Sequence, residues 1–300
     1  MPATETIKLF HLPYSFMLPQ RVAAERGYFA DEGLDVELVE RDRTCVTDKY
    51  IPSEETLTND NDVDLYPICK WESLKRTWEF DDGRIVAEGT FADQPYAVFV
   101  RPDSDIEDPA DLANVPVGVN LRTGQEYTAI RALEAHMDED EVTIEGHGMP
   151  TDRLRALRDG EVDAVTLLDP QITLAEHLGF EKILEFENHM GIVGVEALEG
   201  ETLDAFMRAY RRAVEAINAD PSAYRDQYLD MLWKDEEVAP ELFEDVDTEA
   251  VRAALDVPEY EVPELADRDD LDYHLDWMKQ RQLIDADADI NAIVSPIRLP

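Results

Sequence analysis

The sequence predicts an α/β protein of two lobes, each a mixed or parallel sheet flanked by helices, with the lobes joined by two hinge crossings of the chain. Residues up to about 90 alternate strand-like and helix-like segments, which implies a sheet with helices on both faces. A second alternation of the same kind fills residues 94–190. Beyond residue 190 the chain changes to long amphipathic helices. The domain reading is therefore a discontinuous first lobe, residues 1–93 plus 191–300, with a second lobe, 94–190, inserted into it.

The elements follow in order. Residues 7–12 are β-like, and 18–26 form an amphipathic helix ended by Gly27 in the C′ position. Residues 34–39 alternate apolar and acidic side chains, as a half-buried strand does. Residues 63–67 make a short strand leading into a helix over 70–79, and Arg84–Glu88 is the next strand. In the inserted part, 91–104 is β-rich and ends in a turn, 108–114 is a short helix, and Pro116–Val119 is an apolar strand. The run 120–126 opens a helix reaching about residue 137. A helix over 152–158 turns at Gly160 into the strand 162–168, closed by Asp169-Pro170, after which a helix over 171–178 precedes the strand 181–186. In the last part, 199–218 carries Leu203, Phe206, Met207, Tyr210 and Val214 at helical spacing. Asp220-Pro221 starts another helix, through Tyr228 and Trp233. An acidic stretch over 235–247 precedes more helix, and 273–283 is the closing amphipathic helix. The hinge crossings fall near 95–99 and 186–192.

Composition narrows the function. Three hundred residues at 44% hydrophobic can bury a full core. A net charge of −42, with a pI near 4.2, opposes compaction by self-repulsion and is tolerated where salt screens it. The acids are spread along the chain and Arg greatly outnumbers Lys, the pattern expected of a halophilic archaeon's acidic proteome. Nucleic-acid binding needs a basic face that is missing here. No stretch is long and apolar enough to span a bilayer. The first residues show no basic, apolar or lipid-anchoring signal; as written the chain reads as cytoplasmic, or as extracytoplasmic if a signal has been removed. Cys45 and Cys69 are too few for a disulfide framework and have no zinc-ligand spacing, so no metal is expected.

In an open α/β sheet, ligands sit outside the carboxyl ends of the strands, and two facing lobes put the site in the cleft between them. Strand ends therefore nominate the candidates. The first strand is followed by Pro13, Tyr14, Ser15 and Phe16, which either line the cleft or pack at a helix entrance. Arg122-Thr123-Gly124 joins a strand to a helix, so backbone N–H groups and the helix dipole point into the cleft. Thr123 offers a hydroxyl, and Gly124 lets a ligand approach the backbone. Arg122 either forks onto an acidic ligand or pairs on the surface. Asp169 serves as helix N-cap, ligand contact or both. Cys69, Lys70 and Trp71 follow another strand end. Cys69 is either a nucleophile at a helix start or a small half-buried residue, and Lys70 either neutralises an anion or forms a Schiff base. His189 lies at the second crossing.

The strand Pro116–Val119, the turn Arg122-Thr123-Gly124 and the strand ending in Asp169-Pro170 together make the chain resemble the type II periplasmic binding proteins. The likeness is to the branch that binds nitrate, sulfonates, taurine and thiamine-pyrimidine precursors. The resemblance implies capture of a small anionic or aromatic solute by hinge closure, no cofactor, and an ABC permease as partner. It also implies a hydroxyl contact from Thr123 and a cleft-lining role for the turn at Tyr14. The alternative is a cytosolic enzyme on the same fold, a decarboxylase or lyase acting on an aromatic acid or a step in pyrimidine-precursor synthesis, with Cys69 and Lys70 as its reactive pair. Pyrimidine-synthase relatives carry a cofactor lysine in a turn like that of Lys70, with a histidine four residues on. Here Leu74 stands in that place.

Overall fold

In the computed structural model of the protein, residues 6–12, 14–40, 63–89, 95–194, 198 and 200–295 are described. Pro13, Cys45 and the start of the β-rich run at 91–94 lie outside them. The chain begins with β1 (Ile7–His11), α1 (Leu18–Glu25), α2 (Tyr28–Asp31), β2 (Val36–Glu40), β3 (Leu65–Cys69), α3 (Lys70–Phe80) and β4 (Arg84–Glu88). It continues with β5 (Pro95–Val100), β6 (Pro116–Val119), α4 (Gly124–Leu133), β7 (Thr143–Gly146), α5 (Pro150–Asp159), β8 (Ala164–Leu168), α6 (Gln171–His177) and β9 (Glu181–Glu187). The remainder is β10 (Met190–Gly194), α7 (Glu201–Ala219), α8 (Arg225–Val238), α9 (Thr248–Ala254), β11 (Glu264–Leu265), α10 (Arg268–Gln280) and α11 (Ile290–Ile293).

The strands form two mixed sheets. The first has the order β11-β4-β10-β3-β1-β2, and the second β7-β6-β8-β5-β9. In the first, β1 lies parallel to β2 and β3, whereas β10 runs antiparallel between β3 and β4. In the second, β6 is parallel to β7 and β8, whereas β5 runs antiparallel between β8 and β9. The edge strand β11 also runs antiparallel, to β4, and the other two antiparallel strands, β10 and β5, are next to the crossings. The chain passes from β4 in the first sheet to β5 in the second, and from β9 back to β10.

Period-two burial explains how β5 serves two cores. Ala97 and Phe99 point into the large apolar cluster, and Val98 and Val100 into a smaller one with Leu112, Val117 and Leu133. In α7 the buried residues Leu203, Phe206, Tyr210, Val214 and Ile217 form one stripe, and Phe206 stacks on Phe29 of α2 at 5.2 Å. Burying such a ring contributes roughly 1.5–3 kcal/mol. Gly27 ends α1 with φ 73°; nothing crowds its α-carbon, so the left-handed backbone alone favours glycine there.

Three departures from the sequence reading have local causes. Strand β7 is half-buried to exposed, with Glu145 and Gly146 on its outer end, so its apolar pattern is too weak to read. Strand β10 is buried on both faces, which erases the alternation that marks a strand. It uses glycine for close packing: a Cβ on Gly194 would fall 2.8 Å from the Leu65 side chain. The helix expected from Asp220 opens as a 3₁₀ turn, Pro221–Tyr224, before α8 begins. No described helix is long and apolar enough to cross a membrane.

Candidate functional site

A small cavity of about 40 Å³, partly open to solvent, lies where strand ends of the two sheets face each other. Tyr14, Phe16, Ile68, Cys69, Glu72 and Met190 line it from the first sheet and its helices. Tyr96, Asn120, Thr123, Gly124, Gln125, Met149, Pro150, Leu168 and Asn188 line it from the second side. Tyr14 and Phe16 stack on one another at 5.4 Å and give the cavity an aromatic wall.

Two helix N-termini converge on this space. Cys69 caps α3: its Sγ accepts the Glu72 N–H at 3.3 Å. Thr123 caps α4, its Oγ1 accepting the Gln125 N–H at 3.3 Å and donating to the Asn120 carbonyl at 2.7 Å. The two ends meet closely, and the Gly124 N–H also bonds to the Cys69 sulfur. A Cβ on Gly124 would overlap that sulfur and sit 2.5 Å from the Cys69 Cβ, so the position needs glycine for space.

The polar lining is rich in donors. Thr128 Oγ1 joins the Gly124 carbonyl (2.6 Å) to Asn188 Oδ1 (3.1 Å), which turns the amide nitrogen of Asn188 toward Tyr96 Oη (3.4 Å) and Met190 Sδ (3.9 Å). Asn120 Nδ2 faces Met149 Sδ at 4.0 Å. Thioether sulfur is a weak acceptor, so both amides are under-used as donors. Glu72 is the carboxyl group on the wall. Burial raises its pKa to about 7 despite Arg76 at 3.8 Å, so it is partly protonated near neutrality.

The cavity takes in Tyr14, Phe16, Cys69, Thr123 and Gly124 of the residues that the sequence nominates. Ser15 sits next door: its hydroxyl donates to the Asp169 carbonyl at 3.1 Å, and it lines a smaller cavity with His11 and Tyr228. Asp169 does not line the main cavity. Pro170, not Asp169, holds the N-cap position of α6; from one residue before it, Asp169 Oδ1 accepts from the Thr173 N–H (3.3 Å) and hydroxyl (3.2 Å), and burial raises its pKa to about 6. Arg122 adopts a left-handed backbone, φ 63°, its N–H bonds to Glu126, and it lines a separate groove with Lys75, Arg76 and Tyr127. Lys70 points away to Glu88 (3.1 Å) and Asp270 (2.5 Å). Burial works against its charge, yet these carboxylates hold its pKa above the usual value. Trp71 packs against His274 (4.6 Å) and Trp277 (5.0 Å) of α10. His189 is exposed, and its carbonyl accepts the Lys70 N–H at 2.9 Å.

Residues missed by sequence reasoning are Glu72, Tyr96, Asn120, Met149 and Asn188. Asn120 was within reach of the strand-end argument, since it directly follows β6. Tyr96 and Asn188 flank the two crossings, where each hinge passes the cleft. Glu72 and Met149 carry no local signal.

Burial, with a further contribution from Glu72, pushes the Cys69 thiol well above its ordinary range, in spite of three N–H groups aimed at it. Cys69 is therefore expected to resist iodoacetamide at neutral pH in the native protein and to react only on unfolding. Peptide mass spectrometry on the Cys69 peptide checks this; rapid native alkylation would contradict the buried-thiol assignment.

Residues 17–58 and 84–224 match the family model described as NMT1/THI5 like. The chain belongs to the NMT1/THI5-like family. Among solved structures, this NMT1/THI5-like chain is similar to the periplasmic aliphatic sulphonate binding protein SsuA from Escherichia coli. There the TM-score is 0.73 at 15% identity, over 99% of this chain and 94% of that one. The alkanesulfonate-binding protein SsuA from Xanthomonas axonopodis pv. citri, bound to MOPS, gives 0.68 at 14% identity, over 94% of each chain. The desulfurization enzyme DSZB gives 0.59 at 16% identity, over 97% of this chain and 96% of that one. At these identities the likeness is one of fold: the NMT1/THI5-like chain has the two-lobed α/β fold of periplasmic binding proteins. No curated protein sequence matches it at a significant level.

Proposed function

We propose that the protein is a solute-binding protein. It captures a small molecule with an anionic or strongly polar end and a compact apolar or aromatic body, of the sulfonate, taurine, nitrate or pyrimidine-precursor class. Capture is by closure of the two lobes, 1–93 with 191–300 and 94–190, and the solute is passed to an ABC-type permease. The observation that carries this reading is the cavity between the sheets, where the donors Asn120 and Asn188 face poor internal acceptors across from an aromatic wall. Such a lining suits an acceptor-rich head with an apolar tail. The likeness to two sulfonate-binding proteins supports the solute class.

Contacts across the cleft support closure as the mechanism. Arg281 grips Glu134 through two bonds, 2.6 and 2.7 Å, which ties the chain just after α10 to the end of α4. On the opposite rim Arg155 of α5 bonds Glu241 at 2.6 Å. These pairs join segments on the two sides of the cleft and break when the lobes part.

Calorimetry against a panel of sulfonates, carboxylates, nitrate and pyrimidines tests the reading. At least one member should bind, and Asn188→Ala should weaken it by about tenfold or more, since Asn188 organises both Thr128 and Tyr96. Arg122→Ala should bind like the parent. No binding by any panel member would sink the proposal, and loss of binding in Arg122→Ala alone would move the site to the other groove.

A further inference from the structure

Among the described residues no cation lines the cavity, yet one stands behind it. Arg153, in the first turns of α5, is 0% exposed. Its Nε donates to the Thr166 carbonyl at 2.7 Å and its Nη1 to the Gly148 carbonyl at 2.6 Å. Both acceptors are uncharged, and buried Nη2 finds no acceptor among the described residues. Among the described residues no carboxylate pairs with Arg153, although of the next arginines along the helix Arg155 takes two, Asp152 and Glu241, and Arg158 takes Asp159. In a chain with 69 acidic and 27 basic residues, leaving the most buried guanidinium without a counter-ion is a departure from its own surroundings. Burying a charge without a partner is costly, and such a group is offset by whatever anion comes to lie near it.

Its position links it to the cavity. Met149 and Pro150, which begin the same helix, line the cavity, as do Tyr14 and Tyr96. Arg153 lies close enough to Tyr14 and Tyr96 for its charge to be felt at both phenols, while burial lowers its own pKa to about 10. The neighbouring carboxylate, Asp152, pairs with Arg155 at 3.1 Å and acts on the Arg153 charge only as a minor influence, without a bond to it.

We infer that Arg153 is the buried counter-charge of the ligand, a positioning residue that makes the cavity select an anionic head over an uncharged one of the same shape. It acts through the field across Tyr14 and Tyr96, without touching the solute. The inference rests on the solute-binding reading and adds to it the source of charge selection, which the sequence assigns to Arg122 and Lys70. Arg122 lies in another groove, and Lys70 is neutralised by Glu88 and Asp270.

The test compares ethanesulfonate with ethyl methyl sulfone, close isosteres that differ in charge, by calorimetry on the folded full-length protein. The wild type should prefer the sulfonate by about tenfold or more. Arg153→Gln should erase that preference while still binding both probes, and Arg153→Lys, which keeps the charge, should restore most of it. A merely structural arginine would lower both affinities together and leave their ratio alone. An unchanged ratio in Arg153→Gln overturns the inference. Equal binding of both probes by the wild type also overturns it, and leaves solute capture standing. Wild-type binding of neither probe overturns it too, and the wider panel then decides separately whether capture itself fails. If Arg153→Gln does not fold, nitrogen NMR of the wild-type Arg153 guanidinium decides the point. Its resonances should move with ethanesulfonate and not with the sulfone, and resonances indifferent to both overturn the assignment.

Discussion

Transfer from molar to millimolar KCl is expected to unfold the protein at room temperature. With 69 acidic and 27 basic residues, at least 42 carboxylates have no basic counterpart. At about 1 M salt the Debye length is roughly 3 Å, shorter than the spacing between most surface acids, and at about 0.01 M it is roughly 30 Å, wide enough for a whole lobe to repel itself. Surface pairs such as Arg252–Asp226 and Arg212–Asp31 are largely exposed, so solvent screens their attraction and they offset little of this repulsion. Repulsion of about 10 kcal/mol would cancel an ordinary domain's stability. At about 2–4 °C per kcal/mol that lowers Tm by roughly 20–40 °C. Circular dichroism melts across a KCl series measure the effect, and a Tm that does not move with salt would refute the role given to the charge.

The second large effect is expected at the meeting of the two helix ends. Gly124→Ala places a Cβ onto the Cys69 sulfur, and its distance to the Cys69 Cβ is 2.5 Å, so neither the sulfur alone nor a rotamer change relieves the clash. Both atoms belong to helix N-termini on opposite sides of the cleft, and the lobes must part to accommodate the methyl group. Affinity for whichever panel solute the wild type binds should fall by about a hundredfold, roughly 2.8 kcal/mol. Gly124→Ala combined with Cys69→Gly, which removes both offending atoms, should recover most of it, whereas Cys69→Ala should recover little. This coupling is what a double-mutant cycle isolates. Equal losses in the single and double variants would mean that the contact does not govern closure.

How legible the site was depends on distance along the chain. Thr123 and Gly124 stand next to a strand end and open a helix, and that local grammar places them on the cavity wall. Tyr14 is found the same way. Lys70 and Trp71 obey the same grammar, yet the structure turns them to α10, two hundred residues further on, where Asp270, His274 and Trp277 supply better partners for them than the cavity does. Arg122 fails for a different reason. A left-handed backbone is the exception for arginine, and no residue type in the turn announces it.

The sequence by itself determined the alternation of strands and helices, the long helical tail and the acid excess, because periodicity, caps and composition act over a few residues or over the whole chain at once. Only the tertiary structure decided that β10 and β5 run antiparallel between their neighbours, that Asn188 and Tyr96 meet at the crossings, and that Cys69 presses against Gly124. It also decided that no described carboxylate pairs with Arg153. Those outcomes depend on which distant segments are brought into contact, and burial then fixes which charges are paired, which are left to act on the cavity, and which carboxyl groups keep a proton near neutral pH.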